Sequence, residues 1–291
     1  MTTHAAAAVD AAIVVDEVGI ETGVYRDYRL KTSYQPIFRR EGESLRPVAV
    51  DAFVAPFHAG ALVPVAEWSG AVDDDDRQFI RALCQALHLR NHRNIGVPGL
   101  KLHIGYDAGA PADQAAAIGR FEKLLGSLAG LDLDPRQLVC ELRGNQTAGG
   151  AMLAALAAEM RGHGVTMAVC DFGTGHSTMS QIEMLKPQMV RVDGAWFRAL
   201  CRERAAVKLL GPIVRLLRQI GAAVLIDGIE TTTQLEAALA SGAEYLQGSR
   251  LAPPALAGTL FDSAARPLSV LLYPNEKVVP LFAASAKHQR P

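Results

Sequence analysis

The sequence lacks the marks of a secreted, zinc-knuckle or membrane-spanning protein. Its four cysteines, Cys84, Cys140, Cys170 and Cys201, stand far apart and form no Cys-x-x-Cys pair. That spacing argues against a zinc knuckle and a disulfide framework, and fits a reducing cytoplasm. No apolar run reaches the roughly 18 residues that span a bilayer. The formal net charge is only -1, with both signs interspersed, so no long-range field draws the chain to a nucleic-acid polymer or an anionic membrane. A small anionic ligand can still bind locally. The first residues, MTTHAAAAVDAAIVVDEVGIETG, carry no basic segment and several acids, unlike a signal or transit peptide. They are expected to form a mobile tail or an extra helix. No Gly/Ser-rich or Pro-rich linker divides the middle of the chain, so one large domain is expected.

What is present is a large apolar content, 49%, with 20% charged residues in 291, enough to bury a substantial core. From residue 33 onward, short β-rich runs alternate with stretches of helical periodicity, the pattern of parallel strands joined by crossover helices and hence an α/β fold. The strand candidates begin at Ser33, Pro47, Leu100, Gln137, Val165, Gln188, Ala222 and Glu244. Several are apolar on both faces, as buried parallel strands are. Amphipathic segments fall near 75–93, 112–129, 146–162, 198–220 and 231–241. The acidic run Asp73 to Asp76 marks the start of the first long helix, where negative charge complements the helix dipole. Pro212 predicts a kink or restart within 198–220.

Polar residues recur where these strands end: Asp51, His103, Glu141, Cys170 with Asp171, Asp193, Asp227 and Gln247. In a closed barrel those ends meet at one face, where barrel enzymes build their sites. One acid at a strand end is often only a helix cap; recurrence across most strands points to a shared polar pocket.

Five stretches in order carry a family pattern: YQPI at Tyr34 to Ile37, CDFGTGHS at Cys170 to Ser177, VDGAWF ending at Phe197, DGIETTTQ at Asp227 to Gln234, and QGSRLAPP at Gln247 to Pro254. Together they resemble the EAL-domain family. Asp-Phe-Gly also occurs in kinases, but the kinase Gly-rich and catalytic-loop motifs are absent. The resemblance implies a (β/α)8 TIM-like barrel over 28–262, flanked by tails 1–27 and 263–291. It also implies a two-metal phosphodiesterase, using Mg²⁺ or Mn²⁺, that opens cyclic di-GMP.

Position by position, the resemblance places the signature Glu at Asp51, the ligand Asn at His103 and the next Glu at Glu141. The paired acidic motif falls on Cys170 and Asp171, the site Lys on Arg191, the following Asp on Asp193, the late metal Glu on Asp227 and the loop-stabilising Glu on Glu230. Gln35, Phe53 and Gln247 fall on nucleotide-side positions, Phe53 in place of a Leu; the ligand-contacting Arg is replaced by Ala55. Glu to Asp withdraws a carboxylate by about 1.5 Å, and Mg²⁺ demands near-ideal octahedral geometry. A thiol at Cys170 is a soft ligand for a hard cation. An always-charged guanidinium at Arg191 replaces a compact ammonium. The expectation is a degenerate, catalytically inactive EAL protein of cyclic di-GMP signalling, acting as a regulatory or protein-interaction module, with cyclic di-GMP as a weakened ligand. Two alternatives stand beside it: a residual metal-dependent phosphodiesterase, and a repurposed Zn²⁺ or Fe²⁺ site using the His and Cys ligands. A protein partner and a homodimer are expected from the family.

Elsewhere blander readings prevail. Cys84, His88 and His92 lie on a predicted helix as packing residues, as do Trp68 and Trp196. His176 stands where the family carries an aromatic, as a loop histidine. SVLLY at Ser269 to Tyr273 is expected to dock on the barrel.

Overall fold

The computed structural model describes residues 3–106, 114–143, 150–175 and 177–273. Its elements run α1 (Thr3–Ala11), β1 (Ile13–Val15), β2 (Glu21–Tyr25), β3 (Tyr28–Glu41), β4 (Ser44–His58), β5 (Ala61–Leu62), α2 (Val65–Gly70), α3 (Arg77–Asn91), β6 (Lys101–Tyr106), α4 (Gln114–Gly130) and β7 (Leu138–Arg143). They continue with α5 (Gly150–Gly162), β8 (Thr166–Phe172), α6 (Met179–Leu185), β9 (Met189–Val192), α7 (Gly194–Arg202), α8 (Leu210–Gln219), β10 (Ala223–Ile226), α9 (Thr232–Ser241), β11 (Tyr245–Leu246), β12 (Ala255–Leu256), β13 (Arg266–Pro267) and α10 (Leu268–Leu272).

Eight strands close a barrel in the order β3, β4, β6, β7, β8, β9, β10, β11, with β11 returning to β3. The alternation of strands and helices therefore predicts the architecture, with one correction: β3 runs antiparallel to both neighbours. The cause is local. Glu41 pairs with Ser44 across a two-residue turn containing Gly42 at φ 60°, and a hairpin reverses the chain where a crossover helix would keep it parallel.

Side chains alternate across each strand with a period of two. Inside the barrel this stacks an apolar layer of Ile37, Ala49, Val139, Ala168, Met189 and Leu225 one step below Asp51, Glu141, Cys170, Arg191 and Asp227. The outer strand faces meet the helices in a second, larger core that includes Leu102, Phe121, Leu138, Val190, Val224 and Leu235.

Of the two forms expected for the first residues, the extra helix is present as α1, and two strands follow it. Strand β2 pairs with β3, and β1 with β2. Val9 and Tyr25 join Leu30, Trp68, Ile80, Leu83 and Leu87 in a separate apolar cluster. Asn91 fixes this layer by accepting from the Glu21 amide and donating to the Glu21 carbonyl, both at 2.8 Å. The acidic run precedes α3 as expected, but its acids are engaged from β2: Tyr25 donates to Asp76 at 2.8 Å, and Arg26 pairs with Asp73.

The restart expected at Pro212 within 198–220 is present: the segment forms two helices, α7 and α8, and Pro212 lies in the first turn of the second, where its missing N–H costs no hydrogen bond. The SVLLY segment docks on its own barrel: Leu268 and Leu271 are buried in the large core, and Arg250 and Arg266 donate to the carbonyls of Leu271 and Leu251. Trp68 is buried, and Trp196 packs edge-on against Phe172, as packing residues do. Cys84 and His88 do the same; burial pushes the Cys84 thiol up to about 12, and His88 shares a hydrogen bond of 3.0 Å with Thr32. His176 lies outside the described residues.

Candidate functional site at the barrel mouth

Register brings the expected residues together. Asp51 on β4 lies beside His103 on β6, and Glu141 on β7 and Arg191 on β9 face the same interior. Asp227 and Gln247 follow β10 and β11. The loops carrying these last two are laced by backbone bonds of 3.0 Å, Ile229 N–H to Gln247 and Arg250 N–H to Ile229. Only glycine allows this closeness: a Cβ on Gly248 would lie 2.1 Å from the Ile229 oxygen.

At the centre stands the Arg191 guanidinium. Its Nη1 donates to Glu141 Oε1 at 2.7 Å; its Nη2 reaches Asp51 Oδ2 at 2.5 Å, Asp227 Oδ2 at 3.0 Å and Gln247 Oε1. Gln247, 0% exposed, returns its amide to Asp51 Oδ2 at 3.3 Å. His103 Nδ1 lies 2.8 Å from Glu141 Oε1, and the Cys170 thiol donates to Glu141 Oε2 at 3.3 Å. Burial opposes the charge on Arg191, but Asp51, Glu141 and Asp227 outweigh it and hold the guanidinium firmly protonated. Burial also raises Glu141, and Arg191 with His103 more than reverses this, so its carboxyl stays well below the carboxylate range. Asp51 goes the other way: burial, with Glu141 nearby, pushes it up to about 6 against the pull of Arg191 and His103. Burial and Glu141 hold the Cys170 thiol well above its ordinary value, so beside Glu141 it stands as a neutral donor.

Other expected site residues lie outside the Arg191 cluster. Asp193 caps α7, accepting from the Trp196 amide at 2.8 Å. Asp171 sits at φ 58°, its carbonyl accepting the Thr174 hydroxyl, and its carboxylate makes none of the Arg191 contacts. Glu230 is exposed and pairs with Arg198 at 3.2 Å, next to the α9 cap. Gln35 donates to the Ala252 carbonyl at 3.0 Å, holding the loop after β11. Phe53, 38% exposed, stands farther along β4. Ser177, the last residue of the CDFGTGHS stretch, ties its loop to the Cys170 carbonyl at 2.6 Å.

The donor set does not suit the metals that the resemblance implies. Asp51, Glu141 and Asp227 already surround a fixed cation, and a neutral thiol and an imidazole both turn toward Glu141. Among the described residues no group of three His, Cys, Asp or Glu side chains is arranged to hold a metal ion. No helix among them is long and apolar enough to cross a membrane.

A sequence model of the EAL domain matches residues 21–254. The chain belongs to the EAL domain family. It is 27% identical over 195 residues to the cyclic di-GMP phosphodiesterase PdeL of Escherichia coli K12, covering 66% of this chain and 52% of that protein. It is 24% identical over 243 residues to the bifunctional diguanylate cyclase/cyclic di-GMP phosphodiesterase MucR of Pseudomonas aeruginosa, covering 81% of this chain and 35% of that protein. The chain thus spans between about a third and a half of these relatives. Among solved structures, the Bacillus subtilis YkuI protein, in complex with cyclic di-GMP and calcium, superposes with a TM-score of 0.68 at 21% identity. That match covers 81% of this chain and 57% of that one. A standalone EAL protein of Vibrio cholerae O395 in its cyclic di-GMP-bound form gives 0.65 at 17%, covering 79% and 94%. At these identities the superpositions establish the distorted TIM-barrel fold of EAL domains.

Proposed function

We propose that this chain is a non-hydrolytic EAL module of cyclic di-GMP signalling, working through contact with another protein rather than through turnover. One observation carries the reading: Asp51, Glu141 and Asp227, the carboxylates a divalent metal needs, are bonded to the guanidinium of Arg191. Without a metal to polarise the phosphate and generate hydroxide, the main source of rate in two-metal hydrolysis is lost. An arginine is also effectively never deprotonated and cannot serve as a base.

The nucleotide enters the proposal through the relatives, several of which are named for it or solved with it. Three carboxylates around one cation make an unwelcoming floor for a phosphodiester. The buried Ala55 stands where the resemblance places a charged contact, worth about one to two decades of affinity. Weak binding is therefore the expectation, and regulation through a protein surface, as a homodimer or with another partner, is the working role. The test is to incubate the full chain with cyclic di-GMP and Mn²⁺, separate the nucleotides by chromatography, and titrate binding calorimetrically in parallel. Intact nucleotide is expected; Mn²⁺-dependent appearance of the linear dinucleotide would establish the residual phosphodiesterase instead.

A further inference from the structure

The two terminal nitrogens of Arg191 occupy two different ligand sets. Nη1 lies on Glu141, whereas Nη2 lies among oxygens of Asp51, Asp227 and Gln247 that come from three other parts of the barrel wall. A rigid planar fork thus reaches two oxygen nests at once, which a flexible ammonium, a single point charge, cannot do. The distances from Nη2 to the two carboxylates, 2.5 and 3.0 Å, are those of charge-assisted hydrogen bonds, and they bring both oxygens onto one positive centre.

We infer that Arg191 is a covalently tethered substitute for divalent metal: it fills the metal's place, supplies the positive charge the carboxylates require, and so makes the barrel mouth independent of cations. Removing its side chain converts the same oxygens into a cation site. The inference deepens the non-hydrolytic reading by naming what replaces the metal, but the two can fail separately.

Two physical arguments support it. The cluster is closed to solvent on most sides, Asp51, Glu141 and Arg191 being buried, and unpaired carboxylates left in such a place are strongly unfavourable. They must take up protons or a cation. The donors left behind are hard oxygens, matched to Ca²⁺ or Mn²⁺ rather than to thiophilic metals. In the native chain the same arithmetic works in reverse. A divalent ion entering beside Arg191 would meet a fixed positive charge within hydrogen-bond distance of every oxygen it needs.

The experiment compares the native protein with Arg191→Ala and Arg191→Lys, following melting temperature and bound Mn²⁺ by electron paramagnetic resonance. Arg191→Ala is expected to melt lower than the native chain. It should recover by about 5 °C or more, saturably, with low-millimolar CaCl₂, MnCl₂ or methylguanidinium chloride, and not with NaCl. Arg191→Lys, keeping the charge but losing the fork, should fall between. The native protein should bind no Mn²⁺ that Asp51→Asn abolishes. If Arg191→Ala cannot be purified, this native-protein arm still decides.

Stoichiometric Mn²⁺ uptake by the native chain, lost in Asp51→Asn, would overturn the inference. So would an Arg191→Ala protein indifferent to both Ca²⁺ and methylguanidinium. Cleavage of cyclic di-GMP without metal uptake would sink the non-hydrolytic reading while sparing this one. Metal uptake without cleavage would do the opposite.

Discussion

His88 and Arg191 are both buried nitrogenous side chains, and their surroundings push them in opposite directions. Arg191 is held charged because three carboxylates outweigh the cost of desolvation. His88, with only the Thr32 hydroxyl at its Nδ1, is forced toward neutrality, its pKa lowered to about 4 by burial. In the unfolded chain it returns to about 6.5. A depressed folded-state value means that the unfolded chain binds more protons between those limits. The His88 contribution is therefore complete above about pH 6.5 and is lost as pH falls toward 4. Between about pH 7.5 and about pH 5, urea denaturation should show a loss of about 2 kcal/mol that is specific to His88, set against the opposite pull of Asp51, whose raised value favours folding as pH falls. His88→Gln, which keeps a hydrogen-bonding partner for Thr32, should lose markedly less over the same interval. Equal losses in the two proteins would assign the acid sensitivity elsewhere.

Among the elements, α7 is started by a residue expected at the ligand site. Asp193 lies two residues after Arg191, at the strand end where site residues gather, yet its carboxylate accepts the Trp196 amide and starts the helix. Asp193→Ala should cost about 1 kcal/mol of stability, measured by chemical denaturation, and leave nucleotide binding unchanged; a large binding defect at unchanged stability would return Asp193 to the site. Most strands were legible because a buried barrel strand is apolar on both faces and ends in a polar residue. The direction of β3 was not, because its apolar pattern is the same either way, and the reversal is decided by the Gly42 turn. Helix α6 was hidden by its brevity, although its Thr178 and Gln181 capping box is written in the sequence. The residues that gather at the barrel mouth could be located from their order in the chain. That Arg191 would draw three of the carboxylates onto itself could not, because it depends on the register of four strands, β4, β7, β9 and β10.

At the scale of the molecule, the described residues form a barrel that carries a folded N-terminal layer. Gly23 on β2 lies so close to α3 that a Cβ there would come within 2.8 Å of Leu87, and Val9 and Tyr25 are buried in the same cluster. Deleting residues 1–25 would uncover Leu30, Leu83 and Leu87. At about 1.5–3 kcal/mol for each large apolar side chain lost or exposed, the truncated protein should lose at least about 3 kcal/mol and melt about 6 °C or more below the full chain. Coincident melting curves for the two proteins would show the layer to be dispensable. The ring itself is closed by a short pairing, Arg39 with Tyr245 and Phe38 with Leu246, between segments about 200 residues apart. Contacts so distant in sequence form late, since the entropy of a long loop must be lost before the pairing returns anything. During synthesis the chain must therefore wait as an open, curved sheet with two raw edges until its last barrel strand emerges, and that interval is when it is most exposed to aggregation.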